Sequence, residues 1–249
     1  MKVVLASVPG VALFAWPFLG LGLPADTPAL ALALATVLAL GLVELGTRGL
    51  DSRRLALLAA LAAIDAALRA VVVNGIGGFS PIFFLVLCAG FIFGPSYGFL
   101  VGSTSLLVSA VATGGIGSWV PYQLFATGWV GMAAGVLGEV TAHRVNRFSV
   151  AALAAAGVFT GYAFGGLMDI WDWTFFRGAS GVGWVPGLPA GEALARFGRF
   201  YLLTSLAYDS FRAAGNAILV VALGAPVLAA LARFRARLAF KVVAIDSAA

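Results

Sequence analysis

Of 249 residues, 62% are hydrophobic and only 10% charged, with a mean hydropathy of +1.05, against roughly 45 to 50% apolar and about 25% charged in soluble domains. No water-soluble core accounts for that excess, so the chain is an integral membrane protein. Its net charge of +5 comes from basic residues scattered between apolar runs without interleaved aromatics, which argues against a nucleic-acid surface, and a single cysteine (Cys88) and a single histidine (His143) exclude disulfide frameworks, thiolate clusters and multi-histidine metal sites.

A bilayer crossing takes about 20 mostly apolar residues in a helix. The first such run covers residues 3–23. It imitates a secretory signal, but Trp16-Pro17 interrupts it and no small-residue cleavage pattern follows, so it is read as a membrane segment. The second covers residues 28–45, with Glu44 as its one charge. Together these form an accessory hairpin, residues 1–50. Six further helices are expected in a domain spanning residues 51–240, at 55–73, 81–93, 97–112, 121–140, 149–170 and 200–234. The last is interrupted at Gly224-Ala225-Pro226, and residues 241–249 form a tail. The fold class is therefore all-α and polytopic, with eight spans and both termini on one side.

Basic residues test that count, because Lys and Arg gather in cytoplasmic loops. Lys2, Arg48, Arg53, Arg54, Arg144, Arg147, Arg233, Arg235, Arg237 and Lys241 all fall on one side of an eight-span topology, and only Arg177, Arg196 and Arg199 on the other. The first side is taken as cytoplasmic.

Ionisable groups within a span cost several kcal/mol unless paired or hydrated, so each marks a candidate. Asp65 and Arg69 stand at i, i+4 on the third helix, which suits either a structural ion pair or an arginine that meets an anionic solute. The same helix carries Ala59, Ala63 and Ala67 as a small-xxx-small row, a surface for close helix packing inside the fold or against a partner. On the outer side, the glycine-rich stretches 73–79 and 114–119 contain Asn74 and Trp119. The long stretch that starts at Trp171-Asp172-Trp173 is suited to an interfacial aromatic belt or to a lid. Asp169 is expected to anchor a helix end or that lid. In the last helix Tyr201, Thr204, Ser205, Tyr208, Asp209, Arg212 and Asn216 recur at spacings of three and four. They share one broad face, a polar packing seam or one wall of a water-filled cavity.

The run Gly77-Gly78-Phe79-Ser80-Pro81-Ile82-Phe83-Phe84, the run Gly94-Pro95-Ser96-Tyr97-Gly98-Phe99-Leu100-Val101-Gly102, and the stretches 114–123 and 131–138 resemble the substrate-binding S components of energy-coupling factor (ECF) transporters. The resemblance covers the last six helices and implies a six-helix S-component bundle preceded by an extra two-helix hairpin. It implies a subunit of the prokaryotic cytoplasmic membrane, with cytoplasmic termini, that binds a vitamin or related micronutrient on its outer side. Its partners would be a transmembrane T component and two cytoplasmic ATPase subunits, so the chain itself is no enzyme and carries no catalytic residue, cofactor or metal. By the same resemblance Ala59, Ala63 and Ala67 match the motif that meets the T component, the stretch 73–79 matches a first lid, and the last helix matches the binding wall. The candidate solute-binding residues are then Arg69, Asn74, Trp119, Gln123, Trp173, Tyr208, Asp209, Arg212 and Asn216. The wide aromatic outer region makes a cobalamin-like corrinoid the first expectation for the solute, with riboflavin and pantothenate as others.

Two other classes are weighed against this reading. An intramembrane serine enzyme built on Gly102-Ser103-Thr104-Ser105 lacks a base, since His143 lies in a basic loop far along the chain, and the single acidic pair Asp169/Asp172 is too little for prenyl-transfer metal chemistry. A proton-coupled carrier could use Glu44, Asp65, Glu139, Asp169 and Asp209, but internal inverted repeats are not evident.

Overall fold

A computed structural model describes residues 2–19, 26–47, 51–71, 82–178 and 180–238. They form nine α-helices: α1 (Lys2–Ala15), α2 (Asp26–Gly46), α3 (Ser52–Val71), α4 (Ile82–Phe93), α5 (Pro95–Ala112), α6 (Val120–Val140), α7 (Arg147–Trp173), α8 (Ala190–Thr204) and α9 (Leu206–Leu238). A short 3-10 turn, Trp16–Phe18, follows α1 where Trp16-Pro17 was expected to break it. Among the described residues, four stretches are long and apolar enough to cross a membrane by themselves: Pro28–Gly46, Pro95–Ala112, Arg147–Trp173 and Leu206–Leu238. The chain is thus an all-α polytopic membrane protein.

Helix starts follow local chemistry. Asp51 accepts the Arg54 amide at 2.8 Å ahead of α3, and Asn146 accepts the Ser149 amide at 2.9 Å ahead of α7, each satisfying one of the unbonded amides of a first turn. Proline opens α5 and stands in the first turn of α6, where its missing N–H removes nothing.

The core forms around α4, whose residues from Ile82 to Ile92 are all buried, as expected of a helix that is apolar on every side. It packs against α3, α5, α6, α7 and α9. Helices α5 and α6 touch backbone to backbone: a Cβ on Gly98 or on Gly131 would overlap the carbonyl oxygen of the other. Small residues allow such contact in lipid, where van der Waals packing drives association.

The N-terminal hairpin is bound to this bundle. Trp129 on α6 donates to Ser7 at 2.9 Å, and Trp16 donates to the Tyr122 hydroxyl at 3.2 Å. At the far end of the hairpin, Lys2 donates to Thr47 at 2.5 Å and lies 3.4 Å from Glu44. That far end is the basic end of the bundle. Arg54, Glu139 and Arg235 line a cavity there with Glu44, and Arg235 donates to the Ile92 carbonyl at 2.8 Å. Arg48 and Lys241 lie outside the described residues.

The last predicted helix requires correction. Instead of one helix from residue 200, two helices meet at Ser205: α8, which begins ten residues earlier, and α9. The adjacent hydroxyls of Thr204 and Ser205 bond each other at 3.1 Å, and Thr204 also donates to the Phe200 carbonyl at 2.7 Å. Such side chains offer the backbone an alternative to continued helix. Asp209 then sits in the first turn of α9, where a carboxylate favours the positive end of the helix dipole. By contrast, α9 runs on through Pro226 without the expected interruption, since membrane helices re-satisfy the carbonyl that proline leaves free.

Candidate functional site

A polar seam joins α7 to α9. Gly157, Gly161, Gly165 and Asp169 repeat every four residues on α7 and face Asn216, Ala213 and Asp209 on α9. A Cβ on Gly161 would stand 3.0 Å from the Ala213 Cα, and one on Gly165 would overlap the Asp209 carboxylate. The glycine row is therefore what lets polar side chains of α9 reach the helix interface. Asn216 donates to the Gly157 carbonyl at 3.0 Å. Asp209 pairs with Arg212, and the pair is buried. The Arg212 guanidinium lies between the rings of Phe164, at 5.2 Å, and Tyr208, at 5.0 Å, so its charge is met by a carboxylate and by two π faces.

Beside the seam, an open pocket of about 450 Å³ lies between α6 and α7, lined by Trp119, Gln123, Met168, Asp169, Trp171 and Asp172. Trp119 and Trp171 meet edge to face at 6.0 Å and 74°, and Phe175 backs Trp171 at 4.9 Å. Asp169 is only 9% exposed, and its Oδ2 accepts no hydrogen bond.

The segment that follows α7 is fixed by a second aromatic cluster, made of Trp16, Trp173, Trp184, Ala193 and Phe200 with Phe18 and Phe197 against it. Trp173 donates to the Val182 carbonyl at 2.8 Å and stacks on Phe18 at 5.9 Å. Arg177 covers the Trp184 ring at 5.1 Å, Arg196 bonds Glu192 at 2.7 Å, and Arg199 donates to the Gly181 carbonyl at 3.0 Å. The turn after α1 and the helix α8 thus both hold the segment.

On α3, Asp65 is fully buried and both of its oxygens lack a hydrogen bond. Arg69 and Ser105 are the groups that act on it, yet the i, i+4 pair does not close to salt-bridge distance. Ala59, Ala63 and Ala67 are exposed along the same helix.

The structure gathers Trp119 and Gln123 in the pocket and Asp209, Arg212 and Asn216 in the seam, with Tyr208, 49% exposed, over Arg212. Trp173 is instead buried in the aromatic cluster, Arg69 stays on α3, and Asn74 with the stretch 73–79 lies outside the described residues. Asp169, expected as an anchor, is a pocket wall, as are Trp171, Asp172 and Met168. A sequence signal for Asp169 existed in its register with the glycines of α7, one step beyond Gly165.

A helical bundle of this kind, which gathers most of its described basic residues at one end and opens a polar, aromatic pocket near the other, has the form of a membrane-embedded binding subunit. The family model for the ECF transporter, substrate-specific component, matches residues 53–224, from the start of α3 into α9. The chain belongs to that family. Helices α1 and α2 lie before the matched region. No curated protein and no solved structure matches the chain.

Proposed function

We propose that this S component captures a vitamin or related micronutrient outside the cell and delivers it to a transmembrane T component driven by two cytoplasmic ATPase subunits. The observation that carries the reading is the membership of residues 53–224 in the substrate-specific component family. The pocket between α6 and α7 adds to it, because it opens at the end away from the basic residues, and the positive-inside rule assigns the basic end to the cytoplasm. Its volume of about 450 Å³ falls within the roughly 300 to 1,000 Å³ of small-molecule sites. Nothing in its lining singles out a corrinoid over a smaller ring-bearing solute. Ala59, Ala63 and Ala67 are exposed and therefore accessible to a T-component helix.

A thermal-shift screen of the purified chain against a vitamin panel, in the absence of ATP, tests the capture step. A specific solute stabilises the folded protein by mass action, about 2.7 kcal/mol at one hundred times Kd, and should raise the melting temperature. Silence across the whole panel from a monodisperse sample would overturn the reading.

A further inference from the structure

We propose that the pocket between α6 and α7 selects an organic cation, a positively charged nitrogen carried on or beside an aromatic ring, with Asp169 and Asp172 opposing the charge and Trp119 and Trp171 covering the ring. The inference rests on the capture reading and adds the chemical class of the solute.

Charge comes first. Among the described residues, Asp169 and Asp172 are the only ionisable ones that line the pocket. Asp209 and Arg212 also act on Asp169, so three carboxylates face a single guanidinium, and that guanidinium is already paired with Asp209. Arg177, Arg196 and Arg199 at this end are engaged on Trp184, Glu192 and the Gly181 carbonyl, and Arg69, whose Nη1 bonds nothing, stands in the last turn of α3 and does not line the pocket. Residues 20–25 and 72–81, which join the hairpin helices and α3 to α4, contain no charged residue. An anionic solute would meet repulsion here with no basic group lining the pocket to answer it.

Desolvation makes the same point. An ionised carboxylate withdrawn from water is costly unless paired, and Asp169, more than nine-tenths buried, lines the pocket with the Ser205 hydroxyl acting on it but no cation of its own in a salt bridge among the described residues. A cation that enters the pocket supplies the opposite charge. The indoles add to this, since tryptophan gives the strongest cation–π attraction among side chains, and the edge-to-face setting of Trp119 and Trp171 puts differently oriented ring surfaces at one site. Gln123 provides both a donor and an acceptor for a polar substituent on the ring.

Calorimetry and thermal shift on the full chain in nanodiscs test the proposal with thiamine and benzyltrimethylammonium as cationic probes, riboflavin as a neutral one, and pantothenate and biotin as anionic ones. A cationic probe should bind, weaken as salt is raised, and lose at least tenfold in affinity in Asp169→Asn, with a smaller loss in Asp172→Asn. If Asp169→Asn fails to fold, Asp172→Asn on the exposed edge carries the test, with Trp171→Leu as its partner variant. Binding of a neutral or anionic vitamin alone would overturn the charge class and leave the capture reading standing. Cation binding unaffected by every one of these substitutions would overturn the assigned site. No binding from any probe or vitamin would remove the capture reading itself.

Discussion

At the scale of single residues, the pair Asp209 and Arg212 was legible from its i, i+3 spacing, but its surroundings were not. The carboxylate occupies space that only a glycine at position 165 leaves open, and the guanidinium lies between Phe164 and Tyr208. Removing one partner strands a buried charge, a loss of about 3 to 5 kcal/mol in comparable sites. Asp209→Asn and Arg212→Gln should therefore each lower the melting temperature more than the double variant does. Melting curves of the three variants with and without a bound solute check this. A change of affinity larger than the change in stability would bring the pair into the site, and an equal effect on both would confine it to the seam. Asp65 shows the opposite case. Spacing allowed either an ion pair with Arg69 or an arginine turned to an anionic solute, and the two side chains do not reach salt-bridge distance, because side-chain reach and rotamer decide contact within a shared helix face.

Helices raise a different question, namely which faces meet. The repeat of Gly157, Gly161 and Gly165 acquires meaning only against α9, whose Asn216, Ala213 and Asp209 fall into register with it. Gly165→Ala must displace the Asp209 carboxylate. Overpacking of this kind typically costs about 1 to 3 kcal/mol. Gly166→Ala, whose new Cβ would find only Tyr201 at 4.0 Å, should be neutral or slightly stabilising, because alanine favours helix over glycine. Thermal melts of the two variants side by side test the seam, and equal stabilities would show that α7 and α9 do not depend on this contact. Helix α8 escaped the sequence reading for a related reason: its apolar residues are divided between the buried cluster of Ala193 and Phe200 and exposed Leu194, Leu202 and Leu203. A short amphipathic helix of this kind does not present the continuous apolar run that marks a span.

On the scale of the whole molecule, the exposed row Ala59, Ala63 and Ala67 lies on α3, and the pocket lies between α6 and α7. Separate surfaces predict separable defects. Ala63→Phe should abolish uptake and co-purification with a T component while solute affinity in the purified subunit stays within about twofold, since bulky residues keep helices from close approach in lipid. Parallel loss of expression and of binding would show that the row is needed inside the fold. The hairpin α1–α2 belongs to the same scale. Hydrogen bonds from Trp129 to Ser7 and from Trp16 to Tyr122, and the stacking of Phe18 on Trp173, tie it to the bundle and to the segment beyond α7.

The sequence by itself determined the membrane class, the presence of the helices apart from α8, the gathering of most basic residues and the likeness to S components. The class, the helices and the charge segregation depend on composition or on short-range periodicity, which bilayer thickness and backbone hydrogen bonding translate directly into helices, whereas the likeness rests on the glycine, proline and aromatic runs at 77–84 and 94–102. Only the tertiary structure decided that Trp173 is a packing residue, that Asp169 walls a pocket with Trp119 and Trp171, and that the glycines of α7 admit the polar face of α9. Those facts depend on which helices become neighbours and in what rotation, and close packing between distant segments fixes that, not the local sequence of any one of them.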